Sequence, residues 1–276
     1  MEINGVYYHV EKIGDGAHHV LMLHGFTGNG RSFEDVIEGF ENREDYTFIL
    51  VDQLGHGKTD APAHHERYKM EKMLVDLKSI LDRLSISSVS IYGYSMGGRV
   101  ALSFAVAYPE LVSKLVLESA SPGLEKLEDR SARKEADEKL AERIEKDGVK
   151  SFVDFWTDIP LFQSQKSLPA VKQESIYKQR LNNSPVGLAN SLRGLGTGVQ
   201  PSNWSYLDKI ECPVLLAAGE WDEKFVLIAQ EMKKRIEKSG FFKINSAGHA
   251  IHVEQPRKFG KIVSEFLSNL FMLGRK

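Results

Sequence analysis

Short unbroken apolar runs recur along the first half of the chain, at residues 20–23, 48–51, 89–92 and 115–117. Runs of this length, bounded by polar or turn-forming residues, predict strands buried on both faces. Between the second and third, Met70, Met73, Leu74, Leu77, Ile80, Leu81 and Leu84 fall at helical spacing and predict an amphipathic helix. The alternation returns late, with strands expected at 214–218 and 241–244 and helices at 228–236 and 259–270. Strands alternating with helices predict an α/β fold with a mostly parallel central sheet and helices on both faces.

The middle of the chain reads differently. No strand pattern occurs over residues 122–206. Residues 124–146 are dense in charge, with Leu127, Leu140 and Ile144 as apolar anchors, and further helical stretches lie near Phe152, Ile176 and Leu188. A separate helical domain is one reading. The return to the same strand pattern favours a helical lid at 122–206, inserted between core segments 1–121 and 207–276.

The third apolar run ends in Gly93-Tyr94-Ser95-Met96-Gly97, and from Arg99 the apolar spacing turns helical at Val100, Ala101, Phe104 and Ala105. A serine in a strand-to-helix turn with glycine two positions to either side is a nucleophile elbow. Small neighbours let strand and helix approach while the serine adopts strained dihedrals. The plainer reading is a glycine-rich packing turn.

A serine hydroxyl becomes reactive when an imidazole takes its proton and a carboxylate fixes that imidazole. With this elbow, the order is serine, acid, histidine. Asp222 follows the strand at 214–218, and His249 follows the strand at 241–244. Both sit where open α/β sheets place their ligands. Glu118, Glu220 and Glu223 are the rival acids, and His252 is the rival base. An oxyanion hole needs two donors. The N–H of Met96 supplies one, and the loop His24-Gly25-Phe26-Thr27-Gly28 offers the N–H of Phe26. The turn from Asp52 to Gly57 reads as structural, His56 included.

Composition narrows the picture. The 276 residues suffice for one large α/β domain, and 42% are hydrophobic. A net charge of −2 argues against a general nucleic-acid binder. A single cysteine, Cys212, excludes an internal disulfide and reads as a buried small hydrophobe. No basic-then-apolar leader and no membrane-length apolar run are visible, so a cytoplasmic protein with no membrane span is expected. No metal-ligand spacing or dinucleotide motif occurs, so no cofactor or metal is expected.

Arg99 stands one helical turn after Ser95, and Arg130, Arg133 and Arg180 fall in the helical middle segment. Guanidinium forks suit carboxylates, although in so charged a helix many arginines simply pair with nearby glutamates. A water-excluding lid with cations fits a small polyanionic substrate better than a lipid, with Trp156 and Phe162 as an apolar wall.

The elbow, the loop 24–28, Asp222 and His249 together resemble the α/β-hydrolase superfamily over nearly the whole chain. Within it, residues 93–99, 118–124, 130–133, 219–225 and 247–254 resemble the 2-succinyl-6-hydroxy-2,4-cyclohexadiene-1-carboxylate synthase (MenH) family. Residues 180–184 match that family's motif only partly, so Arg180 transfers least directly. The resemblance implies an α/β-hydrolase fold and a menaquinone-biosynthesis lyase. That lyase eliminates pyruvate from 2-succinyl-5-enolpyruvyl-6-hydroxy-3-cyclohexene-1-carboxylate. In it Ser95 is a base activated by His249 and Asp222, and Phe26 and Met96 form the oxyanion hole. Arg99, Arg133 and Arg180 hold carboxylates, while Tyr94 and Trp156 shape the pocket. The triad alone fits a serine esterase or a carbon–carbon bond hydrolase equally well, and a non-enzymatic receptor on the same fold is the third possibility. A monomer or weak homo-oligomer is expected.

Overall fold

The structure, a computed structural model, describes residues 1–268; the expected helix end at Leu270 lies outside the described residues. A two-stranded hairpin, β1 (Glu2–Ile3) and β2 (Val6–Tyr7), precedes the main sheet. That sheet contains β3 (Val10–Ile13), β4 (His18–Leu23), β5 (Tyr46–Val51), β6 (Val89–Tyr94), β7 (Val112–Glu118), β8 (Val214–Gly219) and β9 (Ser239–Ile244). Its spatial order is β3-β5-β4-β6-β7-β8-β9. Only the β3–β5 pairing is antiparallel among these.

The unbroken apolar runs are explained by two cores. Leu21, Leu23, Ile49 and Val51 enter one, against α2 (Met70–Arg83), α3 (Met96–Ala107) and α7 (Glu223–Arg235). Val20, Met22, Phe48 and Leu50 enter the other, with Phe259, Val263 and Phe266 of α9 (Pro256–Leu267). Successive residues of a strand point to opposite faces, so a sheet covered on both sides is apolar throughout. The short helices α1 (Glu34–Ile37) and α8 (Ile251–Glu254) complete the second layer.

Several boundaries differ from the sequence expectation. The strand expected to break at Gly93 runs on to Tyr94, because Gly93 still pairs with Leu23 and Leu117. α3 begins at Met96 rather than Arg99, and α7 begins directly after Asp222. The hairpin and β3 carried no apolar run to announce them. β3 is an edge strand with every residue at least partly exposed.

Between β7 and β8 the chain is helical. α4 (Leu127–Asp158) is interrupted at Gly148, whose φ of 79° and ψ of 166° leave the helical region. Then come α5 (Ala170–Leu181) and α6 (Pro185–Leu195). Ala141, Ile144, Phe152, Val153, Leu188, Ala189 and Leu192 form a small core of their own, against which Phe26, Trp156 and Tyr177 pack.

Two polar arrangements inside the fold have consequences for stability. Asp76 lies on the buried face of α2. It accepts the Tyr8 hydroxyl at 2.6 Å and the Asn4 amide at 2.8 Å, and it pairs with Arg67 at 2.7 Å. Burial and the adjacent carboxylate hold the Tyr8 phenol well above its usual range. At the strand ends, Gln53 N–H donates to His24 Nε2 at 2.9 Å, so the His24 proton sits on Nδ1 and is donated to Gly25 O. The His56 ring packs beside His24, 5.2 Å between centroids. Burial holds His24 at about 4 and His56 at about 3, each below the usual histidine value.

Removing one partner of a buried ion pair strands the other. Asp76→Ala should therefore cost about 3 kcal/mol in urea unfolding, whereas Asp82→Ala, which loses only the exposed pair with Lys78, should cost under about 0.5 kcal/mol. A second expectation concerns acid. His24 and His56 are neutral in the fold, but the unfolded chain protonates them below about 6.5. Stability is thus fully present above that value and is lost as pH falls toward about 4 and about 3. Unfolding free energy should drop by about 2 kcal/mol per histidine between pH 7 and pH 5; a flat profile over that range would contradict the neutral assignment.

Candidate active site

The site begins with a backbone constraint. Ser95 has φ 50° and ψ −107°, a region L residues rarely occupy. Its N–H donates to Glu118 O at the end of β7, and its carbonyl accepts from Arg99 N, the first turn of α3. A Cβ at Gly97 would lie 2.0 Å from Leu23 O, so only glycine lets α3 start this close to β4. The sequence therefore forces the hydroxyl out of the turn, over the N-terminus of α3, whose first N–H groups have no intrahelical partner.

The loops after β8 and β9 bring the other two groups to it. His249 Nε2 lies 3.0 Å from Ser95 Oγ, and His249 Nδ1 lies 2.6 Å from Asp222 Oδ2. His249 and Asp222 are buried. An ionised Asp222 accepts the Nδ1–H, which leaves Nε2 to take the serine proton. Asp222 is held by its N–H to Gly219 O, and Trp221 N–H donates to Ala247 O, tying the two loops together. The backbone before His249 is fixed by Glu254, which accepts from Gly248 N at 2.7 Å and from Ser164 Oγ at 2.9 Å. Nothing in the sequence spacing had singled out Glu254.

The rival acid and rival base turn out to be partners of each other. Glu118, fully buried, accepts the Tyr92 hydroxyl and both the backbone N–H and Nδ1 of His252 at 3.0 Å. The Tyr94 ring packs against both histidines, with its centroid 4.4 Å from His252 and 5.4 Å from His249. Glu220 instead accepts from Ser246 N, and Glu223 sits exposed in the first turn of α7.

Two cavities flank this arrangement. One, of about 200 Å³, is lined by Ser95, His249, Phe26, Met96, Arg99, Arg133 and Trp156. The other, of about 590 Å³, is lined by Tyr94, Phe162, Gln165, Arg180 and His252. Phe26 borders both. The structure thus brings seven of the ten sequence-selected residues to the first cavity, holds Asp222 behind His249, and places Tyr94 and Arg180 in the neighbouring cavity. Trp156 packs edge-on to Phe26, 5.5 Å between centroids, and its buried indole Nε1 has no protein partner.

The arginines differ in how they are held. Arg99 Nη1 donates to Leu195 O at 2.6 Å and to Gln200 Oε1 at 2.8 Å. Arg180 donates to Thr157 Oγ1 at 3.0 Å and Gln165 Oε1 at 3.1 Å, and it stacks over Phe162. Burial lowers both guanidinium groups to about 10, which leaves them charged at neutral pH. Arg133 is half-exposed and pairs with Asp137 at 2.8 Å. Arg130 only donates to a backbone carbonyl, Gly198 O. Gln200, Gln165 and Asp137 were missed because their partners are distant in sequence or hidden in a charge-rich helix. Among the described residues, no cluster of histidine, cysteine and acidic side chains is gathered to hold a metal, and no helix is long and apolar enough to cross a membrane.

Chemically, a hydroxyl hydrogen-bonded to a carboxylate-backed imidazole can attack a carbonyl or abstract an acidic proton. Either reaction needs donors for a developing oxyanion, and Phe26 and Met96 both line this cavity.

Known proteins share this framework. The family model described as alpha/beta hydrolase fold matches residues 18–256. A Bacillus subtilis (strain 168) protein named putative 2-succinyl-6-hydroxy-2,4-cyclohexadiene-1-carboxylate synthase is 49% identical over 268 residues, 97% of each chain. The synthase of that name from Enterobacter sp. (strain 638) is 28% identical, over 90% of this chain and 91% of its own. Among solved structures, MenH from S. aureus superposes with a TM-score of 0.89 at 37% identity, covering 95% of this chain and 98% of its own. A thermophilic esterase from Thermogutta terrifontis, in a malate-bound structure, gives 0.84 at 25% identity over 97% and 95%. Fold, elbow and full-length likeness converge: the chain belongs to the α/β-hydrolase fold family, on the branch that contains the 2-succinyl-6-hydroxy-2,4-cyclohexadiene-1-carboxylate synthases.

Proposed function

We propose that the protein is a carbon–oxygen lyase of menaquinone biosynthesis. It eliminates pyruvate from 2-succinyl-5-enolpyruvyl-6-hydroxy-3-cyclohexene-1-carboxylate, leaving 2-succinyl-6-hydroxy-2,4-cyclohexadiene-1-carboxylate. The observation that carries this reading is a cationic Arg99 in the same small cavity as Ser95 Oγ and His249, in a chain 49% identical to a relative named for that product. A site for neutral esters has no need of a buried guanidinium at its nucleophile.

Ser95 acts as the base. Its own proton passes to His249 Nε2, 3.0 Å away, as its oxygen takes the ring proton next to the succinyl ketone. Asp222 stabilises the imidazolium that forms. Charge develops on the ketone oxygen, which the Phe26 and Met96 N–H groups receive. Electrons then shift through the ring double bond, and the ring carbon–oxygen bond to the enolpyruvyl group breaks. The departing pyruvate enolate takes up the proton. The segment at 122–206 acts as the lid, its α4 and α6 closing the cavity over Ser95. A cavity of 200 Å³ falls below the roughly 300–1,000 Å³ of a drug-sized site. The substrate therefore extends past Phe26 into the larger cavity, where Arg180 holds a second carboxylate.

A serine esterase is the second reading, favoured by the fold likeness to the Thermogutta terrifontis enzyme. The two differ in covalent chemistry. Rapid quench and intact-mass analysis with the enolpyruvyl substrate should show no mass added to Ser95; a substrate-derived ester there would establish the nucleophilic route instead. Ser95→Ala and His249→Ala should each lower kcat by on the order of 10³-fold or more, with Asp222→Asn also severe and circular dichroism unchanged.

The arginines should separate by burial. Arg99→Ala leaves a substrate carboxylate desolvated without its partner and should cost roughly 2–5 kcal/mol in kcat/KM. Arg133→Ala, already satisfied by Asp137 and half-exposed, should cost about 1 kcal/mol. Arg143→Ala, which removes a stacking contact with the exposed Phe155, should be nearly silent. Equal small losses at all three would remove the case for an anionic substrate.

A further inference from the structure

Most of the paired cations among the described residues lie against carboxylates, as surface cations usually do. Arg193 on α6 is an example, gripped by Glu138 at 2.8 Å and Glu145 at 2.5 Å. Arg99 and Arg180 are different. Arg180 is buried and Arg99 is partly buried, and taking a charge out of water without a counterion is costly. Yet the groups that hold them are neutral oxygens: Leu195 O and Gln200 Oε1 for Arg99, Thr157 Oγ1 and Gln165 Oε1 for Arg180. Among the described residues no carboxylate lies within ion-pair distance of either guanidinium. Asp137 acts on Arg99 only from farther away, because its near contact is Arg133.

The two glutamines are themselves committed to this task. Gln200 is 1% exposed and Gln165 is 7% exposed. Gln200 spends its oxygen on Arg99 and leaves its own buried Nε2 without a protein partner. A glutamate at either place would occupy nearly the same volume and would neutralise the arginine. The glutamines keep each guanidinium oriented and its charge uncompensated, one in each of two adjoining cavities.

We infer that Gln200 and Gln165 are positioning residues that determine specificity, each presenting a guanidinium that has no carboxylate partner, so that the paired cavities select a small molecule bearing at least two carboxylates. The inference deepens the lyase reading, on which the identity of that molecule rests.

The test replaces each glutamine by its charged and its uncharged isostere, Gln200→Glu, Gln200→Met, Gln165→Glu and Gln165→Met, in the full chain. Two substrates are compared: the enolpyruvyl tricarboxylate and a neutral aryl acetate. The ratio of their kcat/KM values should fall at least about tenfold in each Glu variant, through a raised KM for the anion rather than a lowered kcat. The melting temperature should rise in the same variants, an opposite sign to that of a merely structural defect. The Met variants, which lose the acceptor but add no charge, should fall clearly less in that ratio. A ratio unchanged in both Glu variants, or Met variants as impaired as their Glu counterparts, overturns the inference.

Succinate binding, followed by tryptophan fluorescence, keeps the two levels apart. If the wild type releases no pyruvate, the lyase reading fails. Succinate bound at least about tenfold more tightly by the wild type than by the Glu variants would still support the charge-presenting role, and equal affinity would overturn it. Because Gln165 and Gln200 lie on different segments, a failure to fold at one position leaves the other to decide.

Discussion

The whole site depends on one backbone position. Ser95 is held at positive φ between the end of β6 and the start of α3, and everything around it is shaped to keep it there. Gly97 lets α3 approach the carbonyl of Leu23, and Glu118 O anchors the serine N–H. Strain of this kind persists only where the surroundings over-determine it. Those surroundings are a sheet buried on both faces, which cannot shift one strand end without disturbing two cores. The same geometry sets the hydroxyl 3.0 Å from His249 and places Met96, the first residue of α3, at the same cavity.

Charge is the second organising element, and it is distributed with some economy. Acidic side chains near the site have structural work: Glu118 fixes His252 and Tyr92, Glu254 fixes the backbone before His249, and Asp137 holds Arg133. Asp222 alone among them meets His249 Nδ1. The buried arginines, by contrast, meet neutral oxygens. The result is a pair of cavities that each hold a guanidinium without a carboxylate partner, with the Ser95–His249 pair lining one of them. That is a poor match for a lipid and a good one for a compact polycarboxylate.

Much of this was legible in the sequence. Strands buried on both faces leave unbroken apolar runs, so β4, β5, β7 and β8 announced themselves, while the half-exposed edge strand β3 and the hairpin did not. The elbow was legible because a tight strand-to-helix turn demands glycine at fixed offsets. Asp222 and His249 were legible because strand ends are where such loops fall. Their rivals could be sorted only in three dimensions, where Glu118 and His252 consume each other. The division of the lining between two cavities, which separates Arg180 and Tyr94 from Ser95, depends on how α5 and Phe162 pack and leaves no mark in spacing. Gln165 and Gln200 were invisible for the same reason: a glutamine becomes informative only when the guanidinium it holds is known to be buried.

The most direct measurement uses the enolpyruvyl substrate deuterated at the ring carbon beside the succinyl ketone, with pyruvate and the ring product both quantified. Proton abstraction by Ser95 requires one pyruvate per cyclohexadiene formed and a ring product that has lost the deuterium. No pyruvate, or pyruvate released with the deuterium still on that ring carbon, would contradict proton abstraction by Ser95 and with it the assignment of this site to elimination.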